Sequence, residues 1–157
     1  MARLTEGSGR DREADLRSHP ASGLASRPIS GIARTDRRTK ELVKRLQPGD
    51  IAVIDHADLD RVAAEGLVEA RVAAVINASA SITGRYPNVG PLLLAAAGIV
   101  VVDGVGPRTL QLVPDGAAVR IDGAHILVRE RIVAEGNRQT LHTLDEQVEQ
   151  EIGRAHV

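Results

Sequence analysis

The sequence predicts an α/β fold: a small three-layer β/β/α domain built on a short parallel sheet, with antiparallel hairpins towards the C-terminus. Three observations carry that expectation. The first is composition. Of 157 residues 43% are hydrophobic and only 1% aromatic, so the core must be made of Val, Ile, Leu and Ala, side chains that suit sheets covered by helices. The second is alternation: the short apolar runs IAVID (51–55), AAVIN (73–77) and IVVVD (99–103) are separated by segments of helical period. The third is a change of character after residue 113, where Pro114-Asp115-Gly116 and Asp122-Gly123 punctuate Val- and Ile-rich segments, the pattern of hairpins.

Taken in order, residues 1–30 show no apolar period and are expected to be a disordered basic tail, with order beginning near Gly31. Residues 31–140 form the expected domain. Over 36–46, DRRTKELVKRL places Leu42, Val43 and Leu46 on one helical face, with Thr35 as N-cap and Pro48-Gly49 as the stop. After the strand at 51–55, Asp58 is the expected cap of a helix whose positions Leu59, Val62, Ala63, Gly66, Leu67 and Ala70 keep the i, i+3, i+4 spacing. A second strand at 73–77 leads through a polar loop to a helix opened by Pro91 and ended by Gly98, which tolerates a left-handed backbone. The third strand, 99–103, and a short helix begun by Pro107 complete the parallel part. AAVRI, HILV and IVAEG then read as hairpin strands, with Arg129-Glu130-Arg131 as a charged turn. Residues 141–150 read as the start of an acidic helix with few apolar positions to pack.

Composition also narrows the function classes. The chain has no cysteine, which excludes disulfides, thiolate metal sites and Cys nucleophiles together and fits a reducing, cytoplasmic setting. The longest apolar run, 92–102, is about half of the roughly 20 residues a membrane-spanning helix needs, and the N-terminus carries no secretory signal pattern. Net charge is −1, unevenly spread: residues 1–45 hold eleven Arg or Lys against six acids. A nucleic-acid-binding arm is one reading, and a solvated leader is the preferred one.

Among candidate sites, SITGRYPNVGP (81–91) stands out because it holds Tyr86, the single aromatic residue of the chain. Arg85 supplies a forked donor, Asn88 an amide and Thr83 a hydroxyl, while Gly90 precedes the helix opened by Pro91. Such a loop suits an anion or a partner surface, with Tyr86 stacking on a base or filling a pocket. A rigid surface loop whose Tyr lies over apolar neighbours is the alternative, and both remain open at this point. The weaker candidates Asp55, His56 and Asp58 follow a strand's C-terminal end, where metal ligation or acid-base chemistry would be placed; with one imidazole and no second ligand cluster, helix capping and solvent exposure explain them more simply. Asp103-Gly104-Val105-Gly106-Pro107 lacks the third glycine of a dinucleotide fingerprint and reads as a tight turn. No catalytic residue and no metal site are expected.

The motifs GIARTDRRTK (31–40), PGDIAVIDHADLDRVAA (48–64) and SITGRYPNVGP (81–91) resemble the N-terminal region of actinobacterial SteA-like cytokinetic-ring proteins over about residues 31–150. The resemblance implies a role in cell division and cell separation with division-associated protein partners. It also implies a following domain like that of thiamine pyrophosphokinase, where ATP and magnesium would belong, and a C-terminal membrane segment that would anchor the protein at the cytoplasmic face. Residues 151–157, EIGRAHV, match the translation of a common sequencing adapter, so they are expected to be an adapter artefact that truncates the gene. A more distant similarity is to the phosphohistidine swivelling domain of phosphoenolpyruvate-utilising enzymes. No histidine lies between His56 and His125, so the loop that carries phosphate there has no nucleophile here. The expected function is a noncatalytic recognition or assembly module needing no cofactor of its own. The alternative is part of an ATP-dependent thiamine pyrophosphokinase-like enzyme with a nucleotide or pyrophosphate site at 81–91.

Overall fold

Val- and Ile-rich strands buried on both faces make the centre of the molecule. A computed structural model describes the chain over residues 27–83 and 89–139. The expected tail up to residue 26, the acidic helix at 141–150 and the segment 151–157 lie outside the described residues. The elements run β1 (Ile29–Thr35), α1 (Thr39–Leu42) with a 3-10 turn (Val43–Arg45), β2 (Ile51–Ile54), α2 (Arg61–Glu69), β3 (Ala74–Asn77), α3 (Gly90–Ala96), β4 (Val100–Asp103) and α4 (Thr109–Leu112). Then follow β5 (Ala118–Asp122), β6 (His125–Val128), β7 (Arg131–Glu135) and β8 (Asn137–Gln139).

The strands hydrogen-bond in the order β7-β6-β5-β1-β2-β3-β4-β8. β1 to β4 are parallel, β5 to β7 antiparallel, and β8 closes the far edge antiparallel to β4. β1 serves both halves: Ile29 to Ile32 pair with β5, and Ala33 to Thr35 pair with β2. One seven-residue strand therefore passes from a hairpin sheet into a parallel one.

Pleat alternation divides the core in two. On one face Ala52, Ile54, Val75 and Val101 pack with Leu42, Leu67 and Leu94 of the helices. On the other, Ile51, Val53 and Ile76 pack against Val119, Ile121 and Ile126 of the hairpins. The layers are hairpin sheet, parallel sheet and helices, the β/β/α arrangement the sequence predicts. Burying each of these Val, Leu and Ile side chains is worth about 1.5–3 kcal/mol, which is how a core without Phe or Trp holds.

Several elements differ from expectation. The first described strand begins at Ile29, two residues before the expected start near Gly31: ISGIART is β1, which no apolar period marks; its Gly31 admits Gly49 O at 2.7 Å from where a Cβ would stand, so the residue that hides the strand is the one its packing requires. Thr35 ends this strand and caps no helix: its N–H donates to the Asp115 carboxylate at 2.8 Å and its hydroxyl to Val113 O at 3.2 Å. The helix expected over 36–46 is one α turn and one 3-10 turn, although Leu42, Val43 and Leu46 do face the core. In α2 the cap is Asp60, whose carboxylate accepts from Ala63 N–H at 2.8 Å. Starting the helix at Arg61 turns Leu67 and Ala64 inward and leaves Val62 79% exposed, against its expected place on the apolar face. The parallel sheet has four strands, because β1 joins the three expected. β8 is a further difference, since its three polar residues carry no strand pattern.

Other turns agree. Gly98 has φ 79° after α3, and Arg129 and Glu130, at φ 54° and 62°, form the two-residue left-handed turn between β6 and β7. Among the described residues no helix is long and apolar enough to cross a membrane.

Candidate functional site

β2 and β3 run from apolar residues into a polar residue at or just past the last paired position, Asp55 and Asn77, and β4 does the same at Asp103. All three stand at the C-terminal edge of the parallel sheet, where loops leave for the helices. Asn77 is fully buried and organises the edge. Its Oδ1 accepts from His56 N–H at 3.0 Å and Ser79 N–H at 3.1 Å, and its Nδ2 donates to His56 O at 2.9 Å and Ser79's near neighbour Ser81 Oγ at 3.1 Å. One side chain thus ties the loop after β2 to the loop after β3. All its hydrogen-bonding capacity is used, as a fully buried amide requires.

The neighbouring groups follow the same logic. Asp55 accepts the Ser79 hydroxyl. Asp103, 5% exposed, accepts Ser81 N–H at 3.1 Å on one oxygen and Gln139 Nε2–H at 3.1 Å on the other. The amides of Gly104, Val105 and Gly106 donate to Ser79, Asn77 and Ala78 carbonyls at 3.1, 3.3 and 3.0 Å. This glycine turn, with Gly104 at φ 65° and Gly106 at φ 96°, is the tight turn the sequence suggests, its amides engaged within the protein.

Of the candidate residues, Thr83 and Asp58 meet. Thr83 N–H and hydroxyl donate to the two Asp58 oxygens at 2.7 and 2.6 Å. Asp58 adopts φ 51°, a backbone state that Asp enters more readily than most residues, and its own N–H donates to Ala80 O at 3.1 Å. It is a loop clamp, not the helix cap expected. His56 is held at its backbone by Asn77 and at its ring by Thr39, with Oγ1 2.9 Å from Nδ1; its Nε2 lies 3.7 Å from Asp60. Gly90 begins α3 pressed on the loop before α2: a Cβ there would stand 2.1 Å from Leu59 O and 2.8 Å from Asp60 O. Arg85, Tyr86 and Asn88 lie outside the described residues.

The structure therefore fastens both ends of the 81–91 loop, through Ser81 to the sheet edge and Thr83 to Asp58 at its start and through Gly90 against the loop before α2 at its end. Of the residues that do most of the fastening, Asn77, Ser79 and Gln139 are not among the sequence candidates and Asp103 enters there only as part of a tight turn; the available signal is a polar residue closing an otherwise apolar strand, AVIN and VVVD. Beside this loop is an open hollow of about 690 Å³ lined by Ala80, Ile82, Asp103, Asn137, Arg138 and Gln139. Burial lowers the Arg138 pKa from its ordinary value, against the opposite pull of Asp122. The guanidinium donates to Gly123 O at 3.2 Å and Arg27 O at 3.3 Å. Among the described residues no group of three or more His, Cys, Asp or Glu is arranged to hold a metal ion.

No family model and no curated protein matches the chain. Among solved structures it is similar to 3-isopropylmalate dehydratase from Methanocaldococcus jannaschii, at 12% identity and a TM-score of 0.44, over 82% of this chain and 98% of that one. It is also similar to a potential metal-dependent hydrolase with cyclase activity, at 17% identity and a TM-score of 0.47, over 73% of this chain and 65% of that one.

Proposed function

We propose that the chain is a noncatalytic recognition or assembly module of cell division and cell separation, as its resemblance to the SteA-like proteins implies, and that the 81–91 loop is its contact surface. The observation that carries this reading is the use to which the edge polar groups are put. Asp55, Asp58, Asn77 and Asp103 all accept or donate hydrogen bonds that brace loops. A catalytic carboxylate needs a reacting proton within reach, whereas a recognition loop needs a rigid base so that little ordering entropy is lost on binding. These residues supply the rigid base.

Tyr86, the only tyrosine, sits in that loop and makes the test direct. Titrating candidate division proteins while following tyrosine emission is expected to give a saturable change that Arg85→Ala weakens. A change produced instead by ATP with magnesium, and not by any protein, would favour the thiamine pyrophosphokinase-like alternative. No change with either leaves the loop without a contact role.

A further inference from the structure

The motif RTDRRTK begins in β1 and ends in α1, and the loop-bracing network leaves part of it unused. Asp36 N–H donates to Val53 O at 3.1 Å, and its carboxylate accepts Arg38 N–H at 3.0 Å, which pins the turn to the end of β2. Thr39, 4% exposed, places its hydroxyl against the His56 ring. The side chains of Arg37, Arg38 and Lys40 are exposed, and none of them has a carboxylate at ion-pair distance among the described residues. The nearby acids are already engaged: Glu41 with Lys44, Asp55 with Ser79, Asp60 with the first turn of α2. Among the described residues no other stretch of four positions carries three cations without an acidic partner.

These cations border one open hollow of about 580 Å³, together with Thr39, Glu41, Asp55 and His56, at the C-terminal edge over β1 and β2. We infer that this hollow is a binding site for a compact polyanion of phosphate chemistry, held by Arg37, Arg38 and Lys40 and bounded by His56. Guanidinium forks match phosphate oxygens two at a time, and lysine adds a point charge. The volume lies within the range of small-ligand sites, about 300–1,000 Å³. Glu41 and Asp55 line the same hollow and Asp36 precedes it in the chain, which interrupts the positive potential, so the patch suits a diphosphate-sized group better than a nucleic-acid backbone or a lipid surface, both of which need an extended basic face. The site is separate from the 81–91 loop and does not depend on the recognition role proposed for it.

The test is calorimetric titration of inorganic pyrophosphate into the full chain at low ionic strength. Saturable binding is expected, weakened about tenfold or more in the Arg37→Gln/Arg38→Gln variant, since charge-assisted hydrogen bonds from both guanidinium groups are lost. Binding is expected to be unchanged in Arg129→Gln/Arg131→Gln, which removes two exposed arginines from the β6–β7 hairpin and serves as a control for charge alone. Matching thermal unfolding of both variants and the parent establishes that the fold is intact. Equal weakening in the two variants, or no saturable binding by the parent, overturns the inference. So does tighter binding of a single-stranded oligonucleotide or of anionic phospholipid vesicles than of pyrophosphate.

Discussion

The two ends of the sheet's C-terminal edge use similar polar residues differently. Beyond β3 and β4, Asn77, Ser79, Ser81 and Asp103 are consumed by hydrogen bonds between loops, and all but the half-buried Ser79 are buried. Beyond β1 and β2, the acids are consumed in the same way while Arg37, Arg38 and Lys40 stand exposed with no acidic partner among the described residues. A buried polar group left without a partner costs about 1–3 kcal/mol, so at the first end satisfaction is a condition of folding. At the second, water solvates the cations until a ligand replaces it. Structural and ligand-facing polar residues can thus be told apart by what already holds them.

The largest expected effect tests the buried end. Gly90→Ala forces a Cβ to within 2.1 Å of Leu59 O, and because the obstacle is backbone, urea denaturation is expected to show a loss of about 3 kcal/mol. Wild-type stability there would mean that the start of α3 is not seated on the loop before α2. Asn77→Leu comes next. It fills the space but orphans His56 N–H, Ser79 N–H and His56 O, and a loss of about 2–3 kcal/mol is expected in the same measurement; an unchanged midpoint would break the contrast between the two ends.

The smallest effect sharpens the β1 end. Thr35 N–H is the main cause that lowers the Asp115 pKa, opposed by burial and helped by Arg45 and Arg34. A carboxylate whose folded pKa is lowered stabilises the fold above its unfolded pKa, about 4, and that contribution fades as pH falls through the lowered folded value. Asp115→Asn is expected to flatten the acid limb of a stability–pH curve only slightly, because the side chain is 44% exposed and its ion pairs are screened. An acid limb identical to wild type would show that the bond to Thr35 does not favour the charged form.

Legibility followed how local the cause was. IAVID, AAVIN and IVVVD could be read as strands because buried strands are continuous apolar runs, and Gly98, Arg129-Glu130 and Gly116 marked turns through backbone chemistry. ISGIART could not, since its glycine answers to Gly49, 18 positions away, and NRQ became a strand only because β4 offered an open edge. The Asp58 and Asp60 pair shows the same limit at the site. Either can cap a helix, and the choice was made by Thr83, 25 residues downstream, which takes the Asp58 carboxylate for the loop.

By itself the sequence determined the class of fold, the valine-rich core and the turns, because side-chain volume, pleat period and left-handed backbone positions act between neighbours. Only the tertiary structure decided which polar residues are braces and which are free, because a hydrogen-bond partner across two loops is a matter of distance in space, and no spacing along the chain encodes it.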